Sequence, residues 1–257
     1  MEQKSHHDYV HAIGETHKTA KNHRERRWND YYSASYELVV DRMLTGTSGT
    51  ILDVGTSYGH WLPFFKHHGY SRIVGAEIDP ARAEQARRAG YDEVFNTDAA
   101  SLPVADDSYD VAVSNDVFVH ILRREDKTAV LREVERVLKP GGIFVVNHTM
   151  SRAYGYRRDH IEQYCSFLEF DSWIALIKYG SSFEILDFKP TYYNWRCRRP
   201  PFFVRLMRRL IDLPLVDQML ARWDRNNSWR YPIDEADTVY VRLRKHAAAR
   251  GGQEVRR

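Results

Sequence analysis

Only two cysteines, Cys165 and Cys197, occur in 257 residues, and they lack metal-ligand spacing. That argues against a zinc or iron–sulfur site, and nothing calls for a disulfide. No uncharged run is long enough to span a bilayer. The polar, histidine-rich start has no apolar signal core. A cytoplasmic, reduced protein without a metal is therefore expected. Charge of one sign is also scarce. The formal net charge is +3, too weak to argue for nucleic-acid binding, and no nucleic-acid partner is expected. No internal repeat is visible.

What is present points to a folded chain, because 43% of the residues are hydrophobic against 28% charged. The length suits one sizeable α/β domain with an elaborated lid. Residues 1–27 are polar and basic. From Trp28 to Leu44, Tyr32, Tyr36, Val39, Val40 and Met43 recur at helical spacing. From Thr50 strand and helix signals alternate. Ile51 to Val54, Arg72 to Glu77, Glu93 to Phe95, Tyr109 to Ser114 and Ile143 to Val146 read as strands. Between the second and third lies a helix with Asp79 as N-cap, Pro80 at its first position and Gly90 as its stop. Val130, Leu131, Val134, Val137 and Leu138 mark another helix face, and Lys139-Pro140-Gly141-Gly142 reads as the turn that ends it. Strands separated by such helices predict right-handed crossovers and a parallel sheet covered on both faces. Farther on, Trp173 to Lys178 reads as a helix and Phe183 to Phe188 as a strand. Thr238 to Leu243 reads as a last strand, paired antiparallel.

Three places carry chemistry. The run Asp53-Val54-Gly55-Thr56-Ser57-Tyr58-Gly59 follows a strand and opens a helix expected through about Lys66, and its glycines allow a sharp turn and close approach of a ligand. Such a turn also suits dinucleotides. Glu77 ends the next strand, where an acidic side chain accepts hydrogen bonds from ribose hydroxyls. Asn96-Thr97-Asp98-Ala99-Ala100 follows the third strand. Asp98 there is either a turn residue or an acceptor for an adenine amino group.

In order and spacing, these pieces resemble the class I S-adenosylmethionine-dependent methyltransferases from about Thr50 to Asn147, about two-fifths of the chain. The matching pieces also include Val74–Asp79, Leu102-Pro103, Asp107–Val111 and Val137–Gly142. The resemblance implies an α/β, doubly wound, mostly parallel seven-stranded sheet of Rossmann-like methyltransferase type, with an α-helical and aromatic lid insertion. S-Adenosyl-L-methionine would be the cofactor. Gly55, Thr56 and Gly59 would line its methionine part, with Asp53 and Ser57 of the same motif as further candidate cofactor-binding residues. Glu77 would hold the ribose, Ile78 would pack on the adenine, Asp98 would face the adenine amino group, and Ala99 would supply an N–H. Asn115 would sit near the methionine end. Ser57 departs from the family, which often has glycine there. The implied layout is a helical cap over 1–45, the S-adenosylmethionine-binding core over 46–150, completion of the sheet over 151–246 with a recognition insertion at about 190–235, and a disordered tail over 247–257.

For the acceptor, the resemblance implies a small molecule. At the position after the fourth strand, Ser114-Asn115-Asp116-Val117 replaces the Asn-Pro-Pro-Tyr-type tetrapeptide that accompanies methylation of planar amino groups. A hydroxyl of a sugar or natural-product intermediate is the leading acceptor, with N- or C-methylation as the alternative and a non-catalytic scaffold as the rival of another class. His148, placed just past the fifth strand, is the first candidate base, and His120 the second. Tyr31, Tyr32, Tyr154, Tyr156 and Trp195 are expected to close over the methyl donor. The cluster Arg196, Arg198, Arg199, Arg205, Arg208 and Arg209 has three readings: a solvated face, a hold on acceptor phosphate or carboxylate, or part of a peripheral membrane contact. A monomer or a homodimer fits either way.

Overall fold

Aliphatic runs buried on both faces define the strands, as a sheet covered on both sides requires. The computed structural model describes residues 37–150, 165–191, 222, 226, 232–233 and 236–247. A helix over 37–43 (α1) comes first. The order is then Thr50–Val54 (β1), Leu62–His67 (α2), Arg72–Glu77 (β2), Pro80–Ala89 (α3), Glu93–Asn96 (β3), Tyr109–Ser114 (β4) and a 3-10 turn at Phe118–His120. Arg124–Val137 (α4), Leu138–Thr149 (β5), Phe170–Gly180 (α5), Glu184–Thr191 (β6) and Thr238–Arg244 (β7) complete it.

The seven strands form one sheet in the order β3-β2-β1-β4-β5-β7-β6. β1 to β5 pair in parallel, while β7 runs antiparallel to both β5 and β6. This is the expected Rossmann-like methyltransferase sheet. Val130, Leu131 and Val134 of α4 and Trp173 and Ile177 of α5 pack with Leu52, Val54, Ala112, Phe144 and Val146 on one face. Val39, Val40, Met43, Phe65, Ala83 and Ala86 meet Ile51, Ile73, Val111, Val113 and Val145 on the other.

Helix α3 is built as its sequence predicts. Asp79 Oδ1 accepts from Ala81 N at 2.8 Å and Arg82 N at 3.1 Å, and Gly90 ends the helix at φ +105°. Several boundaries differ. α2 begins at Leu62, three residues beyond Gly59, so the glycine turn does not open directly into a helix. Lys139-Pro140-Gly141-Gly142 does not lie outside the sheet but forms the start of β5. Leu138 pairs with Tyr109, Gly141 N donates to Lys245 O at 3.0 Å, and a register shift on β4 absorbs the irregularity.

β6 extends to Thr191, beyond the expected end at Phe188, and residues 190–191 of the expected insertion belong to the sheet. Asp237 N donates to Thr191 O and Met150 N to Asp237 O, at 2.7 and 2.8 Å. Met150 and Thr191 thus lie at neighbouring points, both held by Asp237 at the carboxyl end of β5. Tyr31, Tyr32, Tyr154, Tyr156, Trp195 and the arginine cluster lie outside the described residues. Among the described residues no helix is long and apolar enough to cross a membrane, and no group of three or more His, Cys, Asp or Glu is arranged to hold a metal ion.

Candidate cofactor site

The strand order reverses between β1 and β4, and a crevice opens at such a switch point beyond the carboxyl ends of the parallel strands. Gly55 lies there, directly after β1. Gly55 N and Thr56 N both donate to Ala76 O, at 2.8 and 3.2 Å, which curls the turn over the end of β2. Gly55 adopts φ +83°, and a Cβ on it would stand 2.2 Å from Val117 Cγ2. A side chain from the loop after β4 thus lies against the glycine. Thr56 is buried, with its methyl carbon 2.3 Å from where a Cβ on Gly75 would be, so the glycine within β2 makes room for the turn. Ser57 is left-handed at φ +50°, the conformation the resembled family's glycine would adopt freely. An L residue there carries about 1–2 kcal/mol of strain.

Ser57 N donates to Glu77 Oε2 at 2.8 Å, and Asp79 N to Glu77 Oε1 at 3.0 Å. Both oxygens of this buried carboxylate are oriented by backbone donors, and each retains acceptor capacity for a hydroxyl. Beside it, the Asn96 amide donates to Glu77 O and Ile78 O, both at 2.9 Å, and Thr97 N donates to Glu77 O at 3.1 Å. These bonds fasten the loop after β3 to the loop after β2. That loop presents an exposed Asp98, whose Oδ1 accepts from Ala100 N at 2.8 Å, and a partly buried Ala99. Ile78 is 44% exposed, an apolar side chain left open at this edge.

Asn115 follows β4, and its amide nitrogen and oxygen are both buried without a hydrogen-bond partner. An unmet donor and acceptor on one buried side chain call for a polar partner at this point. Asp116, at φ +57°, fixes the corner. Its N donates to Asn147 Oδ1 at 2.7 Å, and Asn147 Nδ2 donates to its Oδ1 at 3.0 Å.

The structure therefore gathers Gly55, Ser57, Glu77, Ile78, Asp98, Ala99 and Asn115 along the carboxyl edge of four adjacent strands. Asp53 is placed otherwise. Its side chain is 1% exposed and accepts from Tyr91 OH at 2.6 Å, among the residues that pack α3 on the sheet. Burial pushes its carboxyl up to about 7, the Tyr91 hydrogen bond works against this, and the Glu77 charge adds to it.

The expected position of His148 needs correction. It is the penultimate residue of β5, not a residue beyond it, and pairing with Val239 of β7 encloses it. The ring is 1% exposed and its centroid lies 5.0 Å from that of Trp173. Its Nδ1 faces Thr149 O at 2.8 Å, so Nδ1 carries the proton and Nε2 is the unprotonated nitrogen, buried without a partner. Burial, then the charge of Lys127, pushes this imidazole down to about 3, and the Thr149 hydrogen bond only partly offsets that. So weak and enclosed a base is unsuited to taking a proton from an acceptor at neutral pH. His120 lies in the 3-10 turn with Nδ1 3.6 Å from Cys165 Sγ.

Sequence reasoning missed Val117, Tyr91, Asn96 and Lys127. Lys127 had a legible signal, since it stands three residues before Val130 on the apolar stripe of α4 and is fully buried.

In its fold and in the residues along this edge the chain resembles the class I S-adenosylmethionine-dependent methyltransferases. Residues 52–146 match the methyltransferase domain family. Among curated relatives, 24-methylenesterol C-methyltransferase 2 of Oryza sativa subsp. japonica is 34% identical over 133 residues, which is 49% of this chain and 36% of that protein. The chain thus spans little more than a third of that relative's length. Among solved structures, the complex between the Haloferax volcanii Trm112 methyltransferase activator and the putative methyltransferase aligns with TM-score 0.64 at 19% identity, over 95% of this chain and 99% of that one. The [4+2]-cyclase SpnF aligns with TM-score 0.58 at 21% identity, over 82% and 81%.

Proposed function

We propose that this chain transfers a methyl group from S-adenosylmethionine to a small-molecule acceptor. The observation that carries the proposal is the unpartnered buried amide of Asn115, on the same strand edge as Gly55, Glu77 and Asp98. The residues fit the cofactor group by group. Glu77 offers oriented carboxylate oxygens to the ribose hydroxyls. Ile78 offers an open apolar face to the adenine, Asp98 an acceptor to its amino group, and Ala99 a backbone N–H. Gly55 is partly open and brings backbone to the methionine part, while Thr56 and Gly59 are buried and shape the turn beneath it, and Asn115 offers a donor and an acceptor to its polar end. When bound, the cofactor supplies a methyl group already activated by a sulfonium. The chain's task is then to align the acceptor and keep water out.

Calorimetry with S-adenosylhomocysteine tests this reading. Binding is expected, and Asn115→Ala or Asp98→Ala should each weaken it by roughly 1–3 kcal/mol for the lost hydrogen-bonded group. Absence of binding at high micromolar concentration overturns it. The fold alone does not decide the chemistry, since it also carries the cyclase named above. Turnover is tested by mass spectrometry of a cell extract incubated with the protein and cofactor, where one metabolite should gain one methyl group. Binding without any such product favours a cofactor-binding scaffold instead.

For the acceptor, a hydroxyl of a sugar or natural-product intermediate remains the leading reading, supported by Ser114-Asn115-Asp116-Val117 after β4. C-Methylation is the second reading. It draws support from the plant sterol relative and from the weakness of His148 as a base.

A further inference from the structure

The ammonium of Lys127 lies wholly inside the protein, at 0% exposure, beneath the loop that follows β4. It donates to Phe118 O and Ile121 O, the carbonyls at the two ends of the 3-10 turn. An ion buried at such cost needs hydrogen bonds to its charge, and these two fasten both ends of the turn to α4. The turn it holds is joined directly to the site. His120 N donates to Val117 O at 2.9 Å, Val117 packs on Gly55, and Asn115 and Asp116 form the corner just before it. Ser166 N also donates to Val119 O at 2.7 Å, so the segment entering α5 is tied to the same turn.

We propose that Lys127 is a positioning residue for the cofactor site, its buried ammonium holding the 3-10 turn after β4 so that Val117 and Asn115 stand against the glycine turn. The inference rests on reading that corner as the methionine-end subsite. The groups acting on Lys127 are Cys165 from the segment before α5, His148 from β5, and Arg124 and Asp126 on its own helix, and His120 of the turn stands beside Cys165 and acts on His148. Burial pushes the Lys127 amine down to about 7, and Cys165 and Asp126 only partly restore it. The hold therefore weakens as pH rises past neutrality, since an amine donates less strongly than an ammonium.

The test compares S-adenosylhomocysteine affinity of the wild type and Lys127→Met by calorimetry from pH 6 to pH 9. Asp53 also titrates in this range, so the ratio of the two affinities is the readout. The wild type is expected to bind about tenfold more tightly at pH 6, the scale of one charge-assisted hydrogen bond. The ratio should close toward one by pH 9. Equal affinities at pH 6, or a ratio constant with pH, overturns the proposal. Hydrogen exchange on the wild type alone supplies a second arm, independent of the variant's folding and of any cofactor. The His120 and Ile121 amides should lose protection relative to β4 amides between pH 6 and pH 9. Protection moving in step with β4 overturns the proposal even if no ligand binds. Absence of ligand binding together with the expected exchange profile removes the cofactor reading and leaves the lysine's hold on the turn standing.

Discussion

Gly55→Ala is expected to abolish measurable S-adenosylhomocysteine binding and to lower folding stability by roughly 2–5 kcal/mol. Two costs add. The backbone at φ +83° lies in the left-handed region, about 1–2 kcal/mol for an L residue. The new Cβ would also stand 2.2 Å from Val117 Cγ2, and that overlap costs typically about 1–3 kcal/mol in shifted side chains and backbone. Relief by moving Val117 displaces the corner that carries Asn115, which is why binding fails along with stability. Gly46→Ala separates the two costs. Gly46 has φ +77° but nothing within 4 Å of an added Cβ, so it should lose only the backbone part and keep ligand affinity. Val117→Ala in the Gly55→Ala background should recover the steric share of stability. Urea unfolding and calorimetry on the three variants decide it. Unchanged affinity in Gly55→Ala would show that the glycine turn does not approach the ligand.

What was legible in the sequence is what local chemistry specifies. The cap at Asp79, Pro80 and Gly90 fixes α3 by hydrogen bonds and φ values within a few residues, and the structure has each of them. The strand ends at Glu77 and Ser114 follow from apolar runs that stop there, so the edge residues were placed by counting. What was not legible depends on partners distant in sequence. Lys139-Pro140-Gly141-Gly142 has the composition of a turn, yet Tyr109 and Lys245 draw it into the sheet. His148 stands two residues after an apolar run, which suggests an open edge, but β7, 90 residues later, pairs with it and closes it in. Asp53 heads a glycine motif, and the sequence alone points it at a ligand. The alternation along β1 instead turns it toward Tyr91, 38 residues away. Val117 emerged only because the structure shows what a Cβ on Gly55 would strike.

His148 and Asp53 should oppose each other in the acid stability of the chain, and the opposition is open to measurement. His148 drops from an ordinary value near 6.5 to about 3 on folding. Between those values the unfolded chain holds a proton that the folded one does not, so stability falls as pH is lowered, by about 1.4 kcal/mol per unit. Asp53 rises from 3.8 to about 7. Between those values the folded chain holds the extra proton, so stability increases as pH is lowered, with a similar slope of opposite sign. Over the shared window, from about pH 6.5 to about pH 4, the two contributions cancel, and the wild type should show little change in unfolding free energy from this pair. Asp110 and Glu133, both held below the ordinary carboxylate range, lose their contributions mainly below that window. His148→Phe keeps an aromatic ring against Trp173 and removes the imidazole. It should gain stability as pH falls from 6.5 to 4, by roughly 3 kcal/mol on the per-unit scale above. Asp53→Asn keeps an acceptor for Tyr91 OH and removes the carboxyl. It should lose a similar amount over the same range, and the double variant should return to a flat profile. Urea unfolding at half-unit pH steps measures all four proteins. If His148→Phe parallels the wild type throughout, the imidazole is not held neutral by burial, and its role as a proton acceptor in the site returns to consideration.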